Sequence, residues 1–198
     1  MAKAFSFEEL SKKQQQLLLA AQDLFFQHGI RRVTIEEICR KAGVSKRTYY
    51  KYFKDKLDIA RAVLDLLFAE SYKVFRTILE EETSFAQKFE KILMLVTTEI
   101  HAAGSAFLDD VMEKESPLNV YFLKIQKKTR GLVVDFFKDA QKAGHINSDI
   151  KMPFVLFMMD RLSELLSHPE FAGIMPDIEE RASELAVQLF HGFSRVSK

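Results

Sequence analysis

Residues 42–56 read AGVSKRTYYKYFKDK and interleave Lys46, Arg47, Lys51, Lys54 and Lys56 with Tyr49, Tyr50, Tyr52 and Phe53. A run of cations that is merely solvated has no use for aromatics. Cations neutralise phosphates and a tyrosine hydroxyl donates to a phosphate oxygen, so the mixture suits contact with a polyanion. At about 100° per residue, Lys46, Arg47, Tyr50, Lys51 and Lys54 fall on one arc of a helix. Tyr49, Tyr52 and Phe53 fall on the opposite arc, with Thr48 at its edge. The second arc supplies anchors, Tyr49 and Phe53 above all. Tyr50 is left among the cations, pointing outward, where it suits a phosphate oxygen or a thymine methyl.

No comparable grouping supports catalysis. The five histidines, at 28, 101, 145, 168 and 191, form no HExxH and no paired metal spacing. No GxSxG, phosphate-binding loop or dinucleotide glycine motif is present. The expectation is a protein that is not an enzyme and uses no cofactor and no metal.

The elements that position the basic arc can be read from caps and periodicity. Leu17, Leu18, Ala21, Leu24 and Phe25 repeat at threes and fours, the apolar face of a first helix that Gly29 ends. Thr34 with Glu37 has the form of a capping box and starts a second helix, whose inner face is Ile35, Ile38 and Cys39. Gly43 ends it. Ser45 caps a third helix running to about Phe53, and Asp55 with Asp58 caps a fourth that runs to about residue 80. Two short helices joined by Ala-Gly-Val-Ser, the second of them basic, make a helix-turn-helix. The start of the second helix, at Thr34 and Ile35, offers free N–H groups to a phosphate. Arg31 and Arg32 either reach phosphates from the side or serve only to solvate the loop.

Charge is split along the chain. Residues 1–56 hold 12 Lys and Arg against 6 Asp and Glu, a net of +6, so the remainder carries −5 of the overall +1. A basic head on an acidic body directs the head to a polyanion. Across all 198 residues there is one cysteine, Cys39, which excludes an internal disulfide and is expected in the core. No apolar run is long enough to span a bilayer and the N-terminus is polar, so the expectation is a cytoplasmic protein without a signal peptide.

The rest of the chain, with few Pro and Gly, reads as helices at about 83–103, 105–114, 118–143, 151–167 and 177–196, with no strand alternation. The fold class is therefore all-α. Wide apolar stripes on the last two segments suit a four-helix bundle across a two-fold axis, with Met158, Leu162, Leu165, Leu185, Leu189 and Phe193 at the interface. Internal core is the other reading of those stripes.

Residues 11–71 resemble the DNA-binding domain of the TetR family of bacterial transcriptional regulators. The matching residues are Ala20, Ala21, Leu24, Phe25, Gly29, Thr34, Ile35, Ile38, Ala42-Gly43-Val44-Ser45, Thr48, Tyr50, Phe53 and Lys56. The resemblance implies a three-helix DNA-binding head with its helix-turn-helix at 34–53 and recognition helix at 45–51. A linker helix would join it to a helical ligand-binding and dimerisation domain over 72–198. It places Tyr50, Tyr52 and Lys56 at the DNA backbone, and Lys46, Arg47 and Thr48 at base edges or nearby phosphates. Arg47 stands where the family often has Gly, Tyr49 where it has Leu or Ile, Cys39 where it has Ala and Leu57 where it has Glu. Arg47 could read a guanine through O6 and N7 or contact a phosphate; the sequence leaves both open.

The resemblance also implies dimerisation through the last two helices and an inducer pocket in the body. Met94, Ile100, His101, Phe107, Met112, Phe122, Ile125 and Met159 are the candidate lining residues, for a small-molecule effector that is apolar or amphipathic. The function implied is a homodimeric repressor on a palindromic operator in double-stranded DNA. The competing function is a TetR-like coactivator that works through protein partners.

Overall fold

In the computed structural model the described residues are 6–113, 116–166, 168–177, 180–181, 183–185 and 187–188. All regular structure among them is helical, so the chain is all-α. A single 3₁₀ turn, Phe7–Glu9, precedes nine helices bounded within the described residues. These are α1 (Lys12–His28), α2 (Ile35–Ala42), α3 (Lys46–Tyr52), α4 (Lys56–Glu80), α5 (Phe85–Ala103), α6 (Ser105–Met112), α7 (Pro117–Lys142), α8 (Met152–Leu166) and α9 (Pro169–Ile174). No single helix among the described residues is long and apolar enough to cross a membrane.

The helices begin where caps can satisfy free backbone N–H groups. Ser11 and Gln14 form a reciprocal capping box on α1. Thr34 and Glu37 do the same on α2, with the Glu37 carboxylate accepting the Thr34 N–H at 2.8 Å. The Asp55 carboxylate accepts the Asp58 N–H at 2.8 Å at the start of α4. The Pro169-Glu-Phe-Ala-Gly-Ile segment, expected as loop, is the short helix α9, with Pro at its first position. The described residues among 180–188 are helical, while the rest of the expected helix at 177–196 lies outside the described residues.

The chain divides into two units. The first comprises Met1–Tyr72 and Ala102–Lys127, the second Lys73–His101 and Lys128–Lys198. The sequence expectation gave everything after residue 71 to a second domain; the first unit instead takes back 102–127. The reason is burial. Leu17, Leu18, Ala21 and Phe25 of α1, Ile38 of α2, Tyr49 of α3 and Ile59, Ala60 and Val63 of α4 are all fully buried. The same cluster is completed by Ala103, Phe107, Val111 and Leu118. Fully burying one such large apolar side chain is worth about 1.5–3 kcal/mol. α6 could not stay solvated without exposing that face.

Gly104 permits this return. It has φ +73°, and a Cβ there would lie 2.6 Å from the Phe26 carbonyl oxygen. Only glycine allows both the conformation and the approach of α6 to α1.

The second unit has its own core. Phe85, Phe89, Leu93, Phe137, Ala140, Ile146 and Val155 cluster together, and Phe75, Ile78 and Ile92 form a smaller group. Phe85 stacks on Phe136 with centroids 5.0 Å apart. The Gln141 side-chain amide donates to the carbonyls of Asn147 and Ile150, fixing the turn between α7 and α8. Arg181 is buried and donates from Nη1 to the Met175 carbonyl at 2.6 Å.

Candidate nucleic-acid interface

The helix-turn-helix is built by α2, the residues Gly43–Ser45 and α3. Gly43 ends α2 in the left-handed conformation, φ 65° and ψ 34°, as the tight turn needs. Ser45 then caps α3, its hydroxyl accepting the Thr48 N–H at 3.1 Å. Three side chains anchor α3 from within. Tyr49 and Phe53 are buried, and Tyr52 packs partly against the same core. The Tyr49 hydroxyl donates to the Asp55 carbonyl at 2.9 Å, linking the end of α3 to the start of α4. Burial, helped by nearby Asp55, pushes the Tyr49 phenol well up. The thiol of Cys39, also buried, is raised by desolvation.

The outer arc of α3 is open. Lys46, Arg47, Tyr50 and Lys51 are exposed, Tyr50 at 56%. The Tyr50 ring stands edge-on to Tyr49, 5.4 Å between centroids, so the buried residue orients the exposed one. Lys46 pairs with Glu36 of α2, and that hydrogen bond raises its pKa. Arg47 and Lys51 pair with no carboxylate among the described residues. Lys51 lies over the Tyr52 ring at 5.5 Å. Arg47, Thr48, Lys51 and Tyr52 line a shallow surface depression together with Lys13, near the start of α1. Lys13 was no candidate in the sequence; its position in the first turn of a capped helix was the available signal.

Lys56 has a more structural place. Its ammonium donates to the carbonyls of Arg31 and Val33, both at 2.9 Å, and so holds the loop that enters α2. Burial lowers its pKa. Two of its three donors are used, leaving one. Thr34 is exposed at the N-cap, and Ile35 is half-buried against the core. Arg31 does not stand ready for a phosphate: its guanidinium is taken by Asp110 of α6 and by Glu113, the residue after that helix.

The candidate pocket residues are distributed differently from the expectation. Phe107 lies fully in the core of the first unit, and Phe122 and Ile125 pack against that core. Met112 and His101 are exposed, and Met94 is half-buried in the second unit. The side chains of Ile100 and Met159 lie outside the described residues. Of the interface candidates, Leu165 is 44% exposed, Met158 is half-buried, and Leu185 packs against the core of the second unit. The Leu162 side chain, Leu189 and Phe193 lie outside the described residues. Phe154 and Phe157, absent from the expected set, are 50% and 57% exposed on α8. Among the described residues no three His, Cys, Asp or Glu side chains come together in a metal-binding group.

Residues 17–63 match the family model described as bacterial regulatory proteins, tetR family. The chain is 24% identical over 133 residues to the HTH-type transcriptional regulator TtgR of Pseudomonas putida, covering 66% of this chain and 63% of that protein. It is 36% identical over 56 residues to the HTH-type transcriptional repressor BepR of Brucella suis, covering 28% of this chain and 27% of that protein. The matches thus span less than two thirds of these relatives. The fold is similar to that of the fatty acid degradation regulator FadR from Bacillus halodurans, with TM-score 0.76 and 16% identity over 93% of this chain and 97% of that one. These three relatives are described as regulators or a repressor.

Proposed function

We propose that this chain, a TetR-family protein with a helix-turn-helix head, is a transcriptional regulator that binds double-stranded DNA through α3. The observation that carries this reading is the outer arc of α3. Exposed Arg47, Lys51 and Tyr50 stand on a helix whose inner arc is locked by buried Tyr49 and Phe53. A helix fixed on one side and cationic on the other is suited to the major groove. Lys46, Arg47, Thr48, Tyr50 and Tyr52 would meet the DNA from α3. Thr34 and Ile35 would present the start of α2 to a phosphate. Lys56 would use its remaining donor there. The work is binding, not catalysis, and its setting is the cytoplasm, where the DNA is.

One recognition helix reads few base pairs, so a homodimer on a palindromic operator, with heads about 34–36 Å apart, follows from DNA geometry. The exposed Phe154, Phe157 and Leu165 of α8 support a two-fold interface there, with Met158 beside them. The relative BepR is named a repressor, and repression is the sign we assign. Release would come from a small apolar or amphipathic effector taken up by the helical region after the head. Such an effector acts by its differential affinity for two conformations. α4 runs without interruption from Lys56 to Glu80 and supports a coupling role. Titration of the protein on its own upstream DNA and on a scrambled duplex tests the reading.

A further inference from the structure

We infer that the depression between α1 and α3 is a phosphate-binding subsite, and that Arg47 is a backbone contact there and not a guanine reader. The inference rests on the proposed DNA-binding reading. It adds Lys13 to the interface and decides between the two roles the sequence leaves to Arg47.

Its basis is the company Arg47 keeps. Arg47, Thr48, Lys51 and Tyr52 form one stripe on α3, at i, i+1, i+4 and i+5, and that stripe shares its depression with Lys13 of α1. Three cations therefore converge from two helices on one concave patch. No acidic residue lines it. Three other cations of the head are each matched by an acid: Lys41 by Asp23, Lys46 by Glu36, and Arg31 by Asp110 and Glu113. Three like charges brought together without an acid repel one another, and a phosphate offsets that repulsion. Thr48 and Tyr52 add hydroxyls that can donate to its oxygens.

Position points the same way. A base-reading side chain must project into the groove past the sugar-phosphate ridge. A side chain that meets a lysine of a neighbouring helix sits at the flank of the recognition helix, where the ridge passes. Arg47 is in that place. Tyr50 is not among the lining residues and is left to face the groove.

The test needs no knowledge of the operator, because non-specific binding is driven by phosphate contacts. The affinity of the full chain for a random-sequence duplex of about 30 base pairs is measured across salt concentrations. Wild type is compared with Lys13→Ala, Arg47→Ala and the control Lys41→Ala. Each subsite variant is expected to lower the magnitude of the log–log salt slope by about 0.9 per protomer bound, while Lys41→Ala leaves it unchanged. All three side chains are exposed, and circular dichroism checks that each variant is folded. A site selected by wild type from random duplexes then serves for Arg47→Ala. The expected result is weaker binding with the same base preference at every position. Steep wild-type binding with unchanged slopes in Lys13→Ala or Arg47→Ala overturns the subsite and leaves the DNA-binding function standing. Loss of preference at one base pair in Arg47→Ala restores the guanine-reading role and overturns the inference. Absence of wild-type binding to any duplex overturns the function and the subsite with it.

Discussion

Asp110 holds Arg31 with both carboxylate oxygens: Oδ2 accepts the Arg31 backbone N–H at 2.9 Å, and Oδ1 accepts from Nε at 3.0 Å. The two residues are 79 apart in sequence. Through this contact α6 fixes the loop between α1 and α2, which Lys56 holds by its carbonyls. The loop sets where the helix-turn-helix begins.

Asp110→Ala should therefore destabilise the first unit by about 1–1.5 kcal/mol, since hydrogen bonds to a carboxylate are lost while the Arg31 side chain left behind is 62% exposed and regains water. The Asp110 side chain is only 13% exposed and also accepts the Arg31 backbone N–H. Glu113→Ala, at a site 52% exposed, should cost less than about 1 kcal/mol. Urea denaturation of both variants measures the difference; equal costs would show that Asp110 has no special place.

The Thr34–Glu37 capping box gives a second expectation. Thr34→Ala should cost about 1 kcal/mol, and Thr34→Ser should recover most of it. Thermal unfolding checks this. DNA affinity should fall in Thr34→Ala, since the same cap orients the start of α2.

This box was legible in the sequence, as were the Ser45 cap, the Asp55–Asp58 start of α4 and the two arcs of α3. All are local patterns in which spacing alone selects neighbours. The return of α6 to the head was not legible. Phe107 and Val111 look like any apolar helical pair, and only the fold shows that they complete the core of α1 and α4. Phe107, Phe122 and Ile125 therefore read as pocket candidates but are placed in or against a core. Lys13 was missed for the same reason: its companions Arg47 and Lys51 come from a helix more than thirty residues away.

Alkaline pH should weaken the fold. The Tyr121 hydroxyl donates to the Asp65 carboxylate, 2.8 Å from each oxygen, within the first unit. Burial, then that hydrogen bond, pushes its pKa up to about 12. The folded value lies above the unfolded one of about 10. The stabilisation is thus complete below about pH 10 and is lost as pH rises towards about 12. Tyr49, raised by burial, acts in the same direction. Denaturation midpoints between about pH 9 and 12 should fall for wild type and fall less for Tyr121→Phe.

A charge on α8 tests the dimer. Phe157 is 57% exposed, so Phe157→Arg should leave the protomer folded. If α8 forms the two-fold interface, sedimentation velocity should show monomers for Phe157→Arg and for Leu165→Arg, and operator affinity should fall with them. Dimers persisting in both variants would place the interface elsewhere.

Fluorescence anisotropy of the purified chain on its own upstream DNA, beside a scrambled duplex and across salt concentrations, decides whether this is a sequence-selective DNA-binding regulator. Tight binding to the upstream DNA is expected, with two protomers or a multiple of two per site and an affinity that falls steeply with salt. Equal affinity for both duplexes, or binding indifferent to salt, would contradict it.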